Sequence, residues 1–264
     1  MPPARVLLYA TTCGVLLLAG QALIGRPPPL WGAVLAFVLY SSLVLTGVFA
    51  LRLRMFVNAV TRGPAGVRGW ALTFDDGPDP SSTPRVLDVL DRLGAKATFF
   101  VIVRKAEAHP ELVKEILARG HAVGLHSYAH DRLFALRSEK RVRADLERGI
   151  EALEKITGEP TALFRPPIGH TNPTIARVVE ELGLVTVGWS VSAHDGTARA
   201  NLDQVVARVS SRLADGAIVL MHDASERGTH APVAADALER IVAAGREARM
   251  DVVPLDAWID AKGS

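Results

Sequence analysis

Trp70-Ala71-Leu72-Thr73-Phe74-Asp75-Asp76-Gly77-Pro78 runs an apolar segment into two adjacent carboxylates and stops them with a Gly-Pro turn. Side-by-side carboxylates repel, so the pair gives folding nothing unless a cation or a proton sits between them. A strand ending in such a pair reads as one wall of a site. The chain around it shows what kind of fold presents that site.

Downstream, short apolar segments of β type alternate with helical patterns. Strands are expected at 70–74, 97–103, 121–125, 162–164, 184–191, 217–221 and 251–254, and helices at 84–93, 111–119, 138–157, 172–182, 202–213 and 233–244. Thr83-Pro84 and Asn172-Pro173 each offer a capping side chain followed by proline at a first helical position. Glycines 94, 120, 158, 183 and 245 stand where helices should stop. Such alternation implies a parallel sheet, either a barrel or a doubly wound sheet. The polar residues favour a barrel. Asp75 and Asp76, His126, Arg165, Asp195 and His222 all fall at or just past C-terminal strand ends, where a (β/α) barrel builds its active site.

Upstream, the composition changes. Residues 1–68 hold six arginines and no acid, so the remainder of the chain carries 24 basic against 28 acidic side chains. A mildly acidic domain excludes nucleic acid as an expected partner despite the basic isoelectric point. Segments 6–25 and 30–51 are uncharged and each long enough to cross a bilayer as a helix. Arg26-Pro27-Pro28-Pro29 breaks them apart, giving an expected transmembrane helical hairpin. The alternative is a cleaved signal peptide, suggested by the small residues at 18–22 but poor in basic residues before them. Arg52, Arg54, Arg62 and Arg68 outnumber Arg26 of the connecting loop, which predicts a multi-pass protein of the cell membrane with its large domain on the cytoplasmic side. The expected organisation is 1–68 for the hairpin and a linker, 69–257 for a catalytic domain and 258–264 for a tail. The single cysteine, Cys13, excludes both an internal disulfide and a thiolate metal site.

His126-Ser127-Tyr128-Ala129-His130 places two imidazoles four residues apart, where a helical turn would let them share a cation. With one carboxylate of the Asp pair they make a two-histidine, one-carboxylate site with open positions. A divalent cation there lowers the pKa of a water it binds toward roughly 7, and the second Asp is free to act as general base. His222, ending the run Ile218-Val219-Leu220-Met221-His222, is the candidate acid, and Asp195 its candidate partner. Arg165, fixed by Pro166 and Pro167, is a cation suited to orienting the base. His109, His121 and His230 read as surface or structural, whereas His170 and His194 neighbour the motifs closely enough to reach substrate.

Taken together, the segments Thr73–Pro78, His126–His130, Arg165–Gly169 and Leu220–His222 resemble, in order, the first, second, third and fifth motifs of the polysaccharide deacetylase family, carbohydrate esterase family 4, whose domain is called the NodB homology domain. The resemblance covers about residues 69–257. It implies an α/β fold, a distorted (β/α)7-type barrel, and one divalent metal ion, usually Zn2+. It implies Asp75 as catalytic base, Asp76, His126 and His130 as metal ligands, His222 as acid, Arg165 as tether of Asp75 and Asp195 as partner of His222. Ile168, through its backbone N–H, and Leu220 fall at its oxyanion and substrate positions. The implied reaction removes an N-acyl group, usually acetyl, from an amino sugar. Two positions depart from the family pattern: Ile168 replaces a tyrosine, and Ser192-Ala193-His194-Asp195-Gly196 replaces D-x-x-D-W. Two aromatic surfaces of the substrate groove are therefore absent. The expected substrate is an N-acylated amino sugar of a polymer or of a lipid-linked glycan, with membrane lipid as the second partner. The competing expectations are a catalytically silent carbohydrate-binding module and an allantoinase-type amide hydrolase of the same fold.

Overall fold

The structure, a computed structural model, describes residues 1–259. Two apolar helices, α1 (Pro3–Leu23) and α2 (Leu30–Phe49), open the chain, joined at a proline-rich turn and linked side by side by Thr12 Oγ1 and Tyr40 Oη at 3.0 Å. Both are long and apolar enough to cross a membrane by length and composition. The remaining elements run β1 (Ala71–Asp75), α3 (Thr83–Leu93), β2 (Ala97–Val101), α4 (Val103–Ala108), α5 (Pro110–Ala118), β3 (Ala122–Leu125), α6 (Glu139–Thr157), β4 (Leu163–Phe164), α7 (Pro173–Glu181), β5 (Val185–Thr186), β6 (Val191–Ser192), α8 (Leu202–Ser210), β7 (Ile218–His222) and α9 (Ala234–Glu247).

The strands form one parallel sheet in the order β5-β4-β3-β2-β1-β7-β6. β1 is interior to the sheet, entirely buried, and paired on both sides. The sheet curls with helices around it, as the expected distorted (β/α)7-type barrel requires. The expected strand over 184–191 is divided: β5 and β6 lie at opposite edges, and the four residues between them carry the chain across the gap. Four residues are too few for a crossover, so the run continues in one direction from the β4 edge to the β7 edge of the curled sheet, Val187 N donating to Phe164 O at 2.8 Å and Ser190 N to Ile218 O at 3.0 Å. The expected strand over 251–254 is reduced to a single bridge between Trp70 and Val252. Seven strands result, but the seventh comes from the divided run.

Most helix expectations hold within a few residues. α4 is an addition, one and a half turns placed directly after β2. Asn172 caps α7, its Oδ1 accepting from Ile175 N at 2.7 Å. Thr83 is not a cap: it lies within α3, and its hydroxyl donates to Asp223 at 2.5 Å instead. Gly94 and Gly158 terminate helices in left-handed conformation, whereas Gly245 lies inside α9.

The segment after α2 does not trail away from the barrel. Leu51, Val57 and Ala59 are buried against Trp189 and Ala176. Val60 N donates to Thr186 O, and Gly188 N donates to Val60 O, both at 2.8 Å. This extended stretch lies along the crossing between β5 and β6 and covers the gap in the sheet. The chain then runs through Gly63, which pairs with Gly216, and rises into β1.

Candidate active site

β1 delivers Asp75 as its last residue, and the chain turns sharply to present Asp76 at φ 76°. Ser127, His130, Ile168 and His194 also hold positive φ, at 61°, 52°, 58° and 57°. All lie on loops that follow strands. Left-handed backbone costs about 1–3 kcal/mol at a non-glycine residue, and it is least tolerable for β-branched Ile168. Such strain collects where side chains or N–H groups must be aimed inward. Gly77 is needed for space, because a Cβ there would overlap the Asp223 carboxylate.

Asp76, His126 and His130 offer ligand atoms that all lie within 4.8 Å of one another, and all three residues are buried. The two imidazoles each place Nε2 at 3.5 Å from Asp76 Oδ1. They reach it from an irregular turn rather than from the expected helical one: the left-handed Ser127 and His130 fold the loop back, and Ser127 Oγ accepts from His130 N at 2.9 Å. His126 Nδ1 sits 2.8 Å from the Arg165 carbonyl, an acceptor that fixes the proton on Nδ1 and leaves Nε2 as a lone pair.

This donor set fits a divalent cation. Asp76 Oδ1 is buried and has no hydrogen-bond donor. Burial, with Asp75 and Glu226 beside it, pushes the Asp76 carboxyl up to about 7 against the pull of His222 and Lys105. Burial likewise pulls His126 down to about 3 and His130 downward, so both rings are neutral, as metal-ligating imidazoles must be. A buried carboxylate that wants positive charge, facing two neutral ring nitrogens, is a cation site by chemistry as well as by distance.

Two tethered groups flank the set. Arg165 is completely buried, and its Nη1 donates to Asp75 Oδ1 at 2.7 Å and to Thr73 Oγ1 at 2.9 Å. Its Nε and Nη2 donate to the Val187 and Gly188 carbonyls at 3.2 and 3.0 Å, and its guanidinium lies over the Phe100 ring at 4.1 Å. One side chain thus orients Asp75 and satisfies the carbonyls freed where the sheet is interrupted. Asp75 Oδ2 remains 3.8 Å from His126 Nε2. On the other side, His222 Nδ1 pairs with Asp195 Oδ1 at 2.9 Å, and His222 N donates to Asp195 Oδ2 at 2.9 Å. His222 Nε2 then lies 3.9 Å from Asp76 Oδ2. Burial works to lower the His222 pKa, but the Asp195 hydrogen bond and charge, with Asp76 and Asp75, outweigh it and raise it to about 9.

Ile168 stands on the rim, 44% exposed, and Leu220 lies buried in β7. Gly196 packs directly on the His222 ring: a Cβ there would lie 2.9 Å from its Cγ. His194 follows β6 within the same rim, and His170 meets the end of α2. His121 is structural, Nδ1 accepting from Ala97 N at 3.2 Å, and His230 Nε2 meets the Gly196 carbonyl at 3.2 Å.

Three polar groups at the site were not singled out from sequence. Glu226, on the loop after β7, sets Oε1 at 3.2 Å from His130 Nδ1 and is held by Arg132 Nε at 2.8 and 2.9 Å. Lys105 donates to the Asp76 and Ser225 carbonyls, both at 2.7 Å, bracing the two loops from behind. Asp223 is fully buried beneath Gly77, its carboxyl raised to about 6, chiefly by burial. None carries a local sequence signal, because each meets its partner across strands that are distant in sequence.

Comparison with known proteins places this arrangement. The model of the polysaccharide deacetylase family matches residues 62–187. A peptidoglycan-N-acetylglucosamine deacetylase of Bacillus cereus is 40% identical over 155 residues, 58% of this chain and 71% of the relative. The chain belongs to the polysaccharide deacetylase family. The peptidoglycan-N-acetylglucosamine deacetylase PgdA of Listeria monocytogenes is 44% identical over 153 residues, but this chain spans only 32% of its length. Among solved structures, a peptidoglycan N-acetylglucosamine deacetylase crystallised with 4-naphthalen-1-yl-N-oxidanyl-benzamide superposes with a TM-score of 0.71 at 31% identity, covering 77% of this chain and 94% of that one. The seven-stranded fold is therefore that of carbohydrate esterase family 4. Its relatives carry deacetylase names, and the present family member holds an Asp-His-His group able to bind a metal.

Proposed function

We propose that this protein is a membrane-anchored, metal-dependent hydrolase that removes N-acyl groups, acetyl in the first instance, from amino sugars of a glycan. The observation that carries the reading is the pairing of two independently tethered groups around one ligand set: Asp75 held by Arg165, and His222 held by Asp195, on either side of Asp76, His126 and His130. A sugar-binding module would have no use for a buried arginine spent on orienting a second carboxylate.

Asp76, His126 and His130 would hold the metal, with zinc the best match to two imidazoles and one carboxylate. Bound there, such a cation polarises the amide carbonyl and acidifies water. The protein's own groups do the rest. Asp75, with Oδ1 engaged by Arg165, has Oδ2 free to accept a proton from the attacking water. His222, its imidazolium favoured by the Asp195 carboxylate, delivers a proton to the amine nitrogen as the C–N bond breaks. Ile168 is held left-handed on the rim, which supports its N–H as donor to the oxygen on which charge develops. The balance is one amide and one water giving one free amino sugar and one carboxylate. Among relatives, peptidoglycan and chitooligosaccharide deacetylases support a carbohydrate substrate. The two apolar helices support the anchor, and the arginine distribution supports a cytoplasmic catalytic domain.

The test is acyl release from the N-acetylglucosamine tetramer, set beside release from a small cyclic amide such as allantoin. Chelator-sensitive acetate from the sugar alone is the expected result. Hydrolysis of the cyclic amide alone, or of no N-acylated sugar whether soluble or lipid-linked, overturns the reading.

A further inference from the structure

The end of the hairpin lies on the rim of the active-site mouth. Val48 O accepts from Thr171 N at 3.1 Å, and the Phe49 ring meets the His170 ring edge-on with centroids 4.8 Å apart. Thr171 and His170 belong to the loop after β4, the same loop that carries Arg165 and Ile168. The connection leaves no slack, because Leu51, Val57 and Ala59 are buried and Val60 is hydrogen-bonded into the sheet gap. The loop after β4, one wall of the mouth, is thus fixed at the end of α2 with no flexible tether between them.

Exposed apolar side chains stand on this rim, with Arg132 and Arg137 interleaved among them. Phe49, Ile168, Leu133 and Leu136 are exposed, Leu136 by 78%. The turn bearing Leu133 and Leu136 is tied to the same loop through Asn172 Nδ2, which donates to Ala135 O at 2.6 Å. Cations stand at the junction: Arg5, whose guanidinium donates to the Met55 and Arg54 carbonyls at 3.0 and 3.1 Å, with Arg52 and Arg54 beside it. No acid occurs in the first 68 residues to oppose them. Exposed aliphatic side chains continuous with an apolar hairpin, flanked by arginine, match a bilayer surface with its phosphates.

We infer that the substrate is a membrane-held amino sugar, an N-acylated headgroup on a lipid carrier whose tail stays in the bilayer while the sugar enters the mouth from the membrane side. This rests on the hydrolase reading above and narrows its substrate class. A long polymer would have to thread between mouth and bilayer, and neither Ile168 on the rim nor Gly196 against His222 offers an aromatic face to its successive rings. A headgroup confined to the same surface gains effective concentration without any further subsite.

The experiment uses the full chain in phosphatidylcholine vesicles carrying polyprenyl-phosphate-linked N-acetylglucosamine. Acetate release is compared with that from the soluble N-acetylglucosamine tetramer added at equal sugar concentration. The lipid-linked sugar should react faster by about tenfold or more, and Leu133→Glu with Leu136→Glu should lower that ratio at least severalfold. Equal or faster reaction of the tetramer, or a ratio indifferent to the double substitution, overturns the inference while leaving the hydrolase reading intact. No release from either probe overturns both. A second measurement is independent of turnover. In a Cys13→Ala background, a fluorophore on Leu136→Cys should be quenched by brominated phosphatidylcholine and one on Arg119→Cys should not; equal quenching contradicts a mouth that faces the membrane.

Discussion

Asp75 and Asp76 are adjacent, yet their surroundings differ completely. Asp75 is gripped by Arg165, whereas Asp76 faces two imidazoles with a bare Oδ1. Asp75→Asn should therefore keep metal binding and lose turnover by about 10²-fold or more, while Asp76→Ala should lose the metal; turnover assays beside metal analysis of the same samples decide it. Equal metal loss in both would undo this division of labour. The His222–Asp195 pair makes a pH prediction. Against burial, the Asp195 hydrogen bond and charge hold the His222 pKa above its ordinary value, so the imidazolium is favoured and the alkaline limb of kcat/KM should depend on Asp195. Asp195→Asn removes the anion that favours imidazolium, so the limb should move to lower pH by about one unit or more; an unmoved limb contradicts the pairing. These residues were legible in sequence because their types and order are specific. Glu226, Lys105 and Asp223 were not, since a lone acid or lysine on a loop looks the same whether it faces water or braces a site.

At the scale of elements, hydrophobic runs located the strands but not their partners. The run 184–191 is uncharged throughout, and nothing in it marks that its two ends join opposite edges of the sheet. Gly245 reads as a helix stop, yet α9 continues through it, and glycine is there for space: a Cβ would lie 2.8 Å from Trp70 Nε1, inside the core. Gly245→Ala should therefore destabilise by about 1–3 kcal/mol through overpacking, despite alanine's better helix propensity, as read by chemical denaturation in detergent; an unchanged or raised stability would contradict this packing. His121, at the entry to β3, accepts from the first amide of β2 and has its pKa lowered to about 4, mainly by burial, with Lys96 and Arg119 adding to it and Asp91 opposing. Its folded pKa lies below the unfolded value, so the unfolded chain binds the extra proton first. Its contribution is complete above about pH 6.5 and is lost as pH falls toward 4, on the order of 1–2 kcal/mol after solvent screening. The acid slope of stability should flatten in His121→Gln; an identical slope would remove His121 from the account.

For the whole molecule, the stretch between hairpin and barrel matters most. The glycines and proline at 61–68 suggest a linker there, and the residues just before it, 51–60, cover the gap in the sheet between β5 and β6. Each buried aliphatic side chain there contributes about 1.5–3 kcal/mol when fully removed from water. Deleting residues 1–62 should accordingly lower the melting temperature of the catalytic portion well below that of a chain lacking only 1–49. Equal melting would show that the stretch is dispensable. The hairpin, the gap cover and the loop that carries Arg165 and Ile168 then form one continuous body. The most direct test of the central claim is acetate release from the N-acetylglucosamine tetramer by the full chain, titrated with zinc after complete chelation. The account predicts no release without metal, activity rising to a plateau at one equivalent, and no recovery in Asp75→Asn at any zinc concentration. Release that persists after chelation, or that Asp75→Asn shares, would contradict it.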